Sequence, residues 1–246
     1  MKDLAIVTFL WDDENYKDRG KITFGAGHVN KLGRALRRNC TLDFDFVLVT
    51  DAPESQYEQF TEADRIVPLW SDWRSLGGCY VRLKAFQEET GKLLANKRFM
   101  WLDLDIVITG NIDHLVDHDH DFWSWVDVNP PTPYCGSMIG MEVGARPQVW
   151  DDFKGSSSKA QTKHYIGTDQ AWIGHCLGTQ EKTFGREHGI YSYQKHIYFR
   201  EQTEKMQRKA NQPYDPALPE DACMVVFHGD VDPSICGGSW VKEHWI

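Results

Sequence analysis

Apolar positions along this chain gather in short unbroken runs separated by polar, charged stretches. Leu4–Leu10 is a seven-residue run rich in β-formers, as expected of a strand covered on both faces in a parallel sheet. A polar, charged stretch follows, from Trp11 to about Gly27. Residues 29–38 carry Val29, Leu32 and Leu36 on one side and Lys31, Arg34 and Arg38 on another, which predicts an amphipathic helix. Phe44–Thr50 repeats the buried-strand pattern and stops at Asp51, Ala52 and Pro53, a turn signal. Ile66 and Val67 suggest a third, short strand.

The second half continues the alternation less regularly. Residues 80–89 read as a helix introduced by the flexible pair Gly77 and Gly78, and Arg98–Leu102 as a strand that runs straight into Asp103, Leu104 and Asp105. Residues 106–109 continue extended, and Phe122–Val126 and 137–142 are further strands. Pro147 fits the first turn of a helix reaching Phe153, and residues 155–159 read as a mobile loop. Thr168 can cap a helix that begins at Asp169, and 225–228 is a last strand. Strands alternating with helices predict a mainly parallel sheet in an α/β fold. With no repeat and no linker, the expectation is one domain over residues 1–246.

Composition narrows the class. A chain of 246 residues with 41% hydrophobic content is long enough for one sizeable core. A net charge of −9 argues against coating nucleic acid by general electrostatics, though not against a local basic patch. The opening apolar run is too short for a signal sequence or membrane span, and no later run is long enough, so a cytoplasmic protein without a transmembrane segment is expected, in the host cytoplasm if the gene is a phage's. Six scattered cysteines without a C-x-x-C pair read as reduced thiols.

Four short constellations carry chemistry. At the end of an apolar strand, Asp103 and Asp105 are separated by one residue, so in an extended chain their carboxylates point the same way and can converge on one hard divalent cation. The bland alternative is an Asp-rich strand-end turn. His228 follows an apolar strand and precedes Gly229, which suits either a neutral imidazole ligand beside a close backbone or a buried structural histidine. Asp169, next to Gln170, occupies the first turn of its helix, where the dipole favours a carboxylate; it is equally suited to be a simple cap. Arg82 and Lys84 follow two glycines and suit a diphosphate, or a solvated helix face.

These segments, taken in order, resemble the glycosyltransferases of the GT-A fold. The match runs through Ala5 to Thr8, Val29 to Leu32 with Arg37 to Asn39, Val47 to Asp51, Arg82 with Leu83, residues 102–112, Thr168 to Gln170, and His228 with Gly229. The likeness is closest to glycosyltransferase family 8, with glycogenin and bacterial lipopolysaccharide galactosyltransferases as relatives, and to small bacterial and phage glycosyltransferase-like proteins. It implies a Rossmann-like α/β/α sandwich around a mixed, mostly parallel sheet. It implies a nucleotide-sugar donor, with UDP as the nucleotide, lying near Thr8, Trp11, Tyr16, Asp51, Leu104 and Gly229. Trp11 or Tyr16 would stack on the base, or serve only as a loop anchor. Arg82 and Lys84 would steady the diphosphate. Asp103, Asp105 and His228 would hold Mn²⁺ or Mg²⁺, and Asp169 and Gln170 would lie beside the reacting carbon. Transfer would proceed with retention, by front-face attack or by double displacement through Asp169 or Gln170.

One position departs from the pattern. The family's C-terminal motif commonly reads His-Gly-x-x-Lys-Pro, and here Asp232 stands where the lysine contacts phosphate. That keeps a second reading open, a nucleotide-sugar binder without transfer activity. A nucleotidyltransferase is a third, opposed by the lack of a Gly-rich signature after the first strand. For the acceptor, a glycan or lipid-linked sugar fits, or a modified DNA base if the gene is a phage's. Trp123 and Trp125 alternate on a strand and read as core before sugar platform. The basic stretch 195–209 is interspersed with acids and reads as a solvated helix before an anion-binding face.

Overall fold

The computed structural model describes residues 1–12, 24–128, 132–161, 167–198, 216–228, 231–236 and 238–246. The opening run forms β1 (Leu4–Leu10), followed by α1 (Ala26–Asn39), β2 (Phe44–Thr50) and β3 (Arg65–Pro68). After α2 (Trp73–Leu76) and a 3₁₀ segment over Gly78–Phe86 come α3 (Glu88–Leu94), β4 (Arg98–Leu102) and β5 (Ile106–Ile108). Next are β6 (Phe122–Val126), β7 (Tyr134–Glu142), α4 (Gln148–Phe153), α5 (Ser157–Gln161) and α6 (Asp169–Leu177). The chain closes through β8 (Lys182–Phe184), β9 (Ile190–Ser192), β10 (Met224–Val226) and α7 (Ser239–His244).

Seven strands make one sheet in the order β3-β2-β1-β4-β7-β6-β8. Parallel pairs run from β3 to β4, β7 is antiparallel to both neighbours, and β8 is again parallel to β6. A second sheet, β5-β10-β9, pairs β10 antiparallel to β5 and parallel to β9. The period-2 geometry of a strand sorts the core. Leu4, Ile6, Phe46, Leu48, Met100 and Leu102 face α1 and the inner side of the small sheet, whereas Ala5, Val7, Phe9, Phe99 and Trp101 face the 3₁₀ segment, α4 and α6. The outer side of the small sheet, Val107 and Val225, is covered by Trp240 and Val241 of α7.

Residues 80–89 do not form the single helix their pattern predicts. Tyr80 to Leu83, Ala85 and Phe86 are all buried, so no solvated stripe exists to set a 3.6-residue period, and packing imposes tighter 3₁₀ turns. The turn opens at Gly77 (φ 68°) and Gly78 (φ 47°), left-handed values that glycine adopts without strain. Residues 155–159, expected as a mobile loop, enter the short helix α5 after left-handed turns at Lys154 and Gly155. Strands β8 and β9 carry too few residues for any period to show, and they have no counterpart in the pattern reading.

Candidate functional site

The carboxyl ends of β1 and β4 are tied together before any acidic residue appears. Thr8 Oγ1 donates to the Leu102 carbonyl (2.9 Å), and the Asp103 N–H donates to the Ser137 carbonyl on β7 (3.0 Å). Asp103 therefore stands between β4 and β7. Two residues on, the Asp105 carbonyl accepts from the Phe227 N–H (3.1 Å), just past β10. The Asp-x-Asp segment thus bridges the two sheets.

Arg82, in the 3₁₀ segment, is buried at the centre of this junction. Its Nε donates to Asp169 Oδ2 (2.9 Å), Nη2 lies 2.7 Å from the same oxygen, and Nη1 reaches Asp103 Oδ1 (2.5 Å) and the Gly136 carbonyl (3.0 Å). A Cβ at position 136 would sit 3.0 Å from Nη2 and 3.4 Å from both Asp169 oxygens, so a glycine leaves the room this cage needs. Burial works against the guanidinium charge, but Asp103 and Asp169 more than offset it and hold Arg82 well above its ordinary pKa. Burial also pushes the Asp169 carboxyl up, against the opposing pull of Arg82.

Asp169 is presented by α6, whose N-terminus is capped as the sequence predicts: Thr168 Oγ1 accepts from the Ala171 N–H (3.2 Å). Gln170 is fixed at both ends. Its Oε1 accepts from the Gly136 N–H (3.1 Å), and its Nε2 donates to Asp127 Oδ2 (2.8 Å) and Thr132 Oγ1 (3.3 Å). Gly136 and Asp127 are site residues that sequence reasoning missed. A lone glycine inside a strand was the available signal for the first.

The opposite side is less complete. Asp105 Oδ1 is buried and has no hydrogen-bond partner among the described residues. Burial pushes its carboxyl well above the ordinary range, and repulsion from Asp103 and then Asp232 adds to the shift. Burial, and then nearby Lys195, lower the pKa of His228, and its Nε2 lies 2.7 Å from Ser192 Oγ. Asp103, Asp105 and His228 do not close into a ligand set: among the described residues no three His, Cys, Asp or Glu side chains are arranged to hold a metal ion. Asp232 is buried and turned toward His28 of α1 (3.6 Å), while its Oδ1 accepts from the Ser234 N–H (2.7 Å). Burial would raise its pKa, but these contacts win and hold it below the usual carboxylate range.

The remaining expected donor contacts scatter. Thr8 and Leu104 are buried, the first joining strands and the second in the core beside α1. Lys84 is not part of the Arg82 cage and pairs with Asp72 (2.6 Å). Asp51 accepts from the Asp12 N–H (3.3 Å), and Trp11 packs edge-on against Phe9. Trp123 and Trp125 are wholly buried core residues. Tyr16, Gly229 and most of the basic stretch, residues 199–209, lie outside the described residues.

No family model matches the chain, and no curated protein matches it. Solved structures do. The glycosyltransferase GlyE of Streptococcus pneumoniae TIGR4 superposes on 98% of this chain with a TM-score of 0.62 at 12% identity, and the chain spans 60% of the GlyE chain. The galactosyltransferase LgtC, solved with donor and acceptor sugar analogues, superposes on 97% of this chain and 93% of its own with a TM-score of 0.61 at 13% identity. An active-site mutant of LgtC gives a TM-score of 0.63 at 12% identity. The likeness is one of fold: the seven-stranded, mostly parallel sheet is that of the GT-A glycosyltransferases.

Proposed function

We propose that this chain is a glycosyltransferase that uses a divalent cation to move a sugar from a nucleotide-diphosphate donor, with UDP as the nucleotide, onto a hydroxyl acceptor with retention. The observation that carries the reading is the set of carboxylates at the strand ends of a GT-A sheet, closed around Arg82 on one side and left with the orphan oxygen Asp105 Oδ1 on the other. A buried carboxylate oxygen without a donor, beside a second carboxylate, is a fit for a hard cation. Asp103 and Asp105 would hold it, with His228 as the third candidate once it leaves Ser192. Mn²⁺ or Mg²⁺ there supplies positive charge beside a departing diphosphate.

The chain's own residues do the rest. Arg82 places a guanidinium edge at the same point, where negative charge grows as the sugar leaves. Gln170, held at both ends, gives the site a rigid wall. Asp169 is engaged twice by Arg82, and a carboxylate held that way is a poor nucleophile; this favours front-face attack over double displacement through Asp169.

The test is donor hydrolysis. The protein is incubated with UDP-glucose, UDP-galactose and UDP-N-acetylglucosamine plus Mn²⁺, and UDP release is read, with Asp103→Ala/Asp105→Ala as control. Metal-dependent release from one donor, abolished in the double variant, is expected. Neither release nor binding of any sugar nucleotide would sink the reading.

A further inference from the structure

The guanidinium of Arg82 is held unequally by its two carboxylates. Asp169, with a side chain 3% exposed, takes both Nε and Nη2. Asp103, with a side chain 32% exposed, takes only one N–H of Nη1, whose other neighbour is the Gly136 carbonyl. Two contacts on an oxygen of a buried carboxylate outlast a single contact on a solvent-facing one. Asp103 is also the residue that shares the strand end with the unpartnered Asp105 Oδ1. One of the two Asp103 oxygens beside Asp105, Oδ1, is therefore already covered by a protein cation.

We propose that Arg82 is the resident counter-ion of Asp103, and that a divalent cation binds by taking Asp103 from it, so that metal binding and the freeing of one guanidinium N–H are a single event. Asp169 and Gly136 keep Arg82 in place throughout, and the released N–H is left at the strand ends as a donor for an anionic oxygen. The inference rests on the metal clause of the proposed function. It adds a coupling: cation binding and anion binding each strengthen the other.

Two measurements test it. Mn²⁺ affinity without nucleotide is read from the free-ion paramagnetic resonance signal for wild type and Arg82→Lys. Lysine keeps the charge but cannot span both carboxylates, so Arg82→Lys is expected to bind Mn²⁺ at least fivefold more tightly; unchanged or weaker binding overturns the inference, because through-space repulsion alone predicts no change. Independently of whether that variant folds, arginine-selective ¹⁵N spectra of wild type are recorded with saturating Mg²⁺. The Arg82 Nη1 signal is expected to shift while Nε stays, and an unmoved Nη1 signal overturns the proposal. Wild type that binds neither ion would instead remove the metal clause of the proposed function itself.

Discussion

The two walls of the strand-end junction are built differently. On the β7–α6 wall, Arg82, Asp169, Gly136 and Gln170 meet one another's charges and hydrogen bonds inside the protein. On the small-sheet wall, Asp105 keeps a buried oxygen without a donor, and Asp103 and Asp232 add repulsion. A wall whose groups are mutually satisfied is pre-organised and costs little to hold still. A wall that is short of positive charge is destabilised until something outside the chain supplies it. This contrast, more than any single motif, marks where a cation would enter.

The largest effect should come from breaking the satisfied wall. Arg82→Leu leaves Asp169 buried without its partner and is expected to lower stability by roughly 3–5 kcal/mol, read by urea denaturation. A smaller effect of opposite sign should come from the deficient wall. Asp105→Asn removes a repelled carboxylate, and is expected to stabilise the metal-free protein at neutral pH while weakening Mn²⁺ binding roughly tenfold or more. If the variant is no more stable than wild type, the wall is not short of charge.

The same comparison has a pH signature. Burial, then repulsion by Asp103, raises Asp105 above the ordinary range, so the folded state holds this proton more tightly than the unfolded chain. The stability this provides is fully present below the unfolded value of about 3.9 and is lost as pH rises through the folded value. Asp105→Asn and wild type should therefore be close near pH 4 and diverge above it, with the variant the more stable. Saturating Mn²⁺ should close the gap.

Two changes sharpen the boundary of the site. His228→Ala should weaken Mn²⁺ binding by only a few-fold if the ring stays on Ser192, and by tenfold or more if it joins the carboxylates. Lys84→Ala should leave Mn²⁺ and donor binding unchanged and cost less than about 1 kcal/mol, since its partner Asp72 is solvent-facing.

How much of this was legible differs by residue. Asp103, Asp105 and Asp169 were readable because strand ends and helix caps have local signatures, and the capping bond at Thr168 is where the sequence puts it. Gly136 and Asp127 were not, because their roles exist only across β7 and α6. Arg82 and Lys84 looked equivalent as neighbouring cations, yet one lies in the cage and the other faces Asp72, because side chains two residues apart on a helical turn do not share a face. Asp232 looked like a misplaced charge on phosphate. Its contact with His28, a residue far away in the chain, turns it elsewhere.

Strands β1 to β4 and helix α1 followed from local pattern alone, because buried parallel strands and an amphipathic α1 each satisfy a period that neighbouring residues set. The sequence also determined which carboxylates stand at strand ends. Tertiary structure decided what those carboxylates meet. It placed β7 antiparallel beside β4, brought α6 against the 3₁₀ segment, and docked the C-terminal end on the basic face of α1, where Lys31, Arg34 and Arg38 donate to the carbonyls of Trp245, Ile246 and His244. Pairings between residues far apart in the chain leave no periodic trace, since their geometry is set by how whole elements pack and not by the residues beside them.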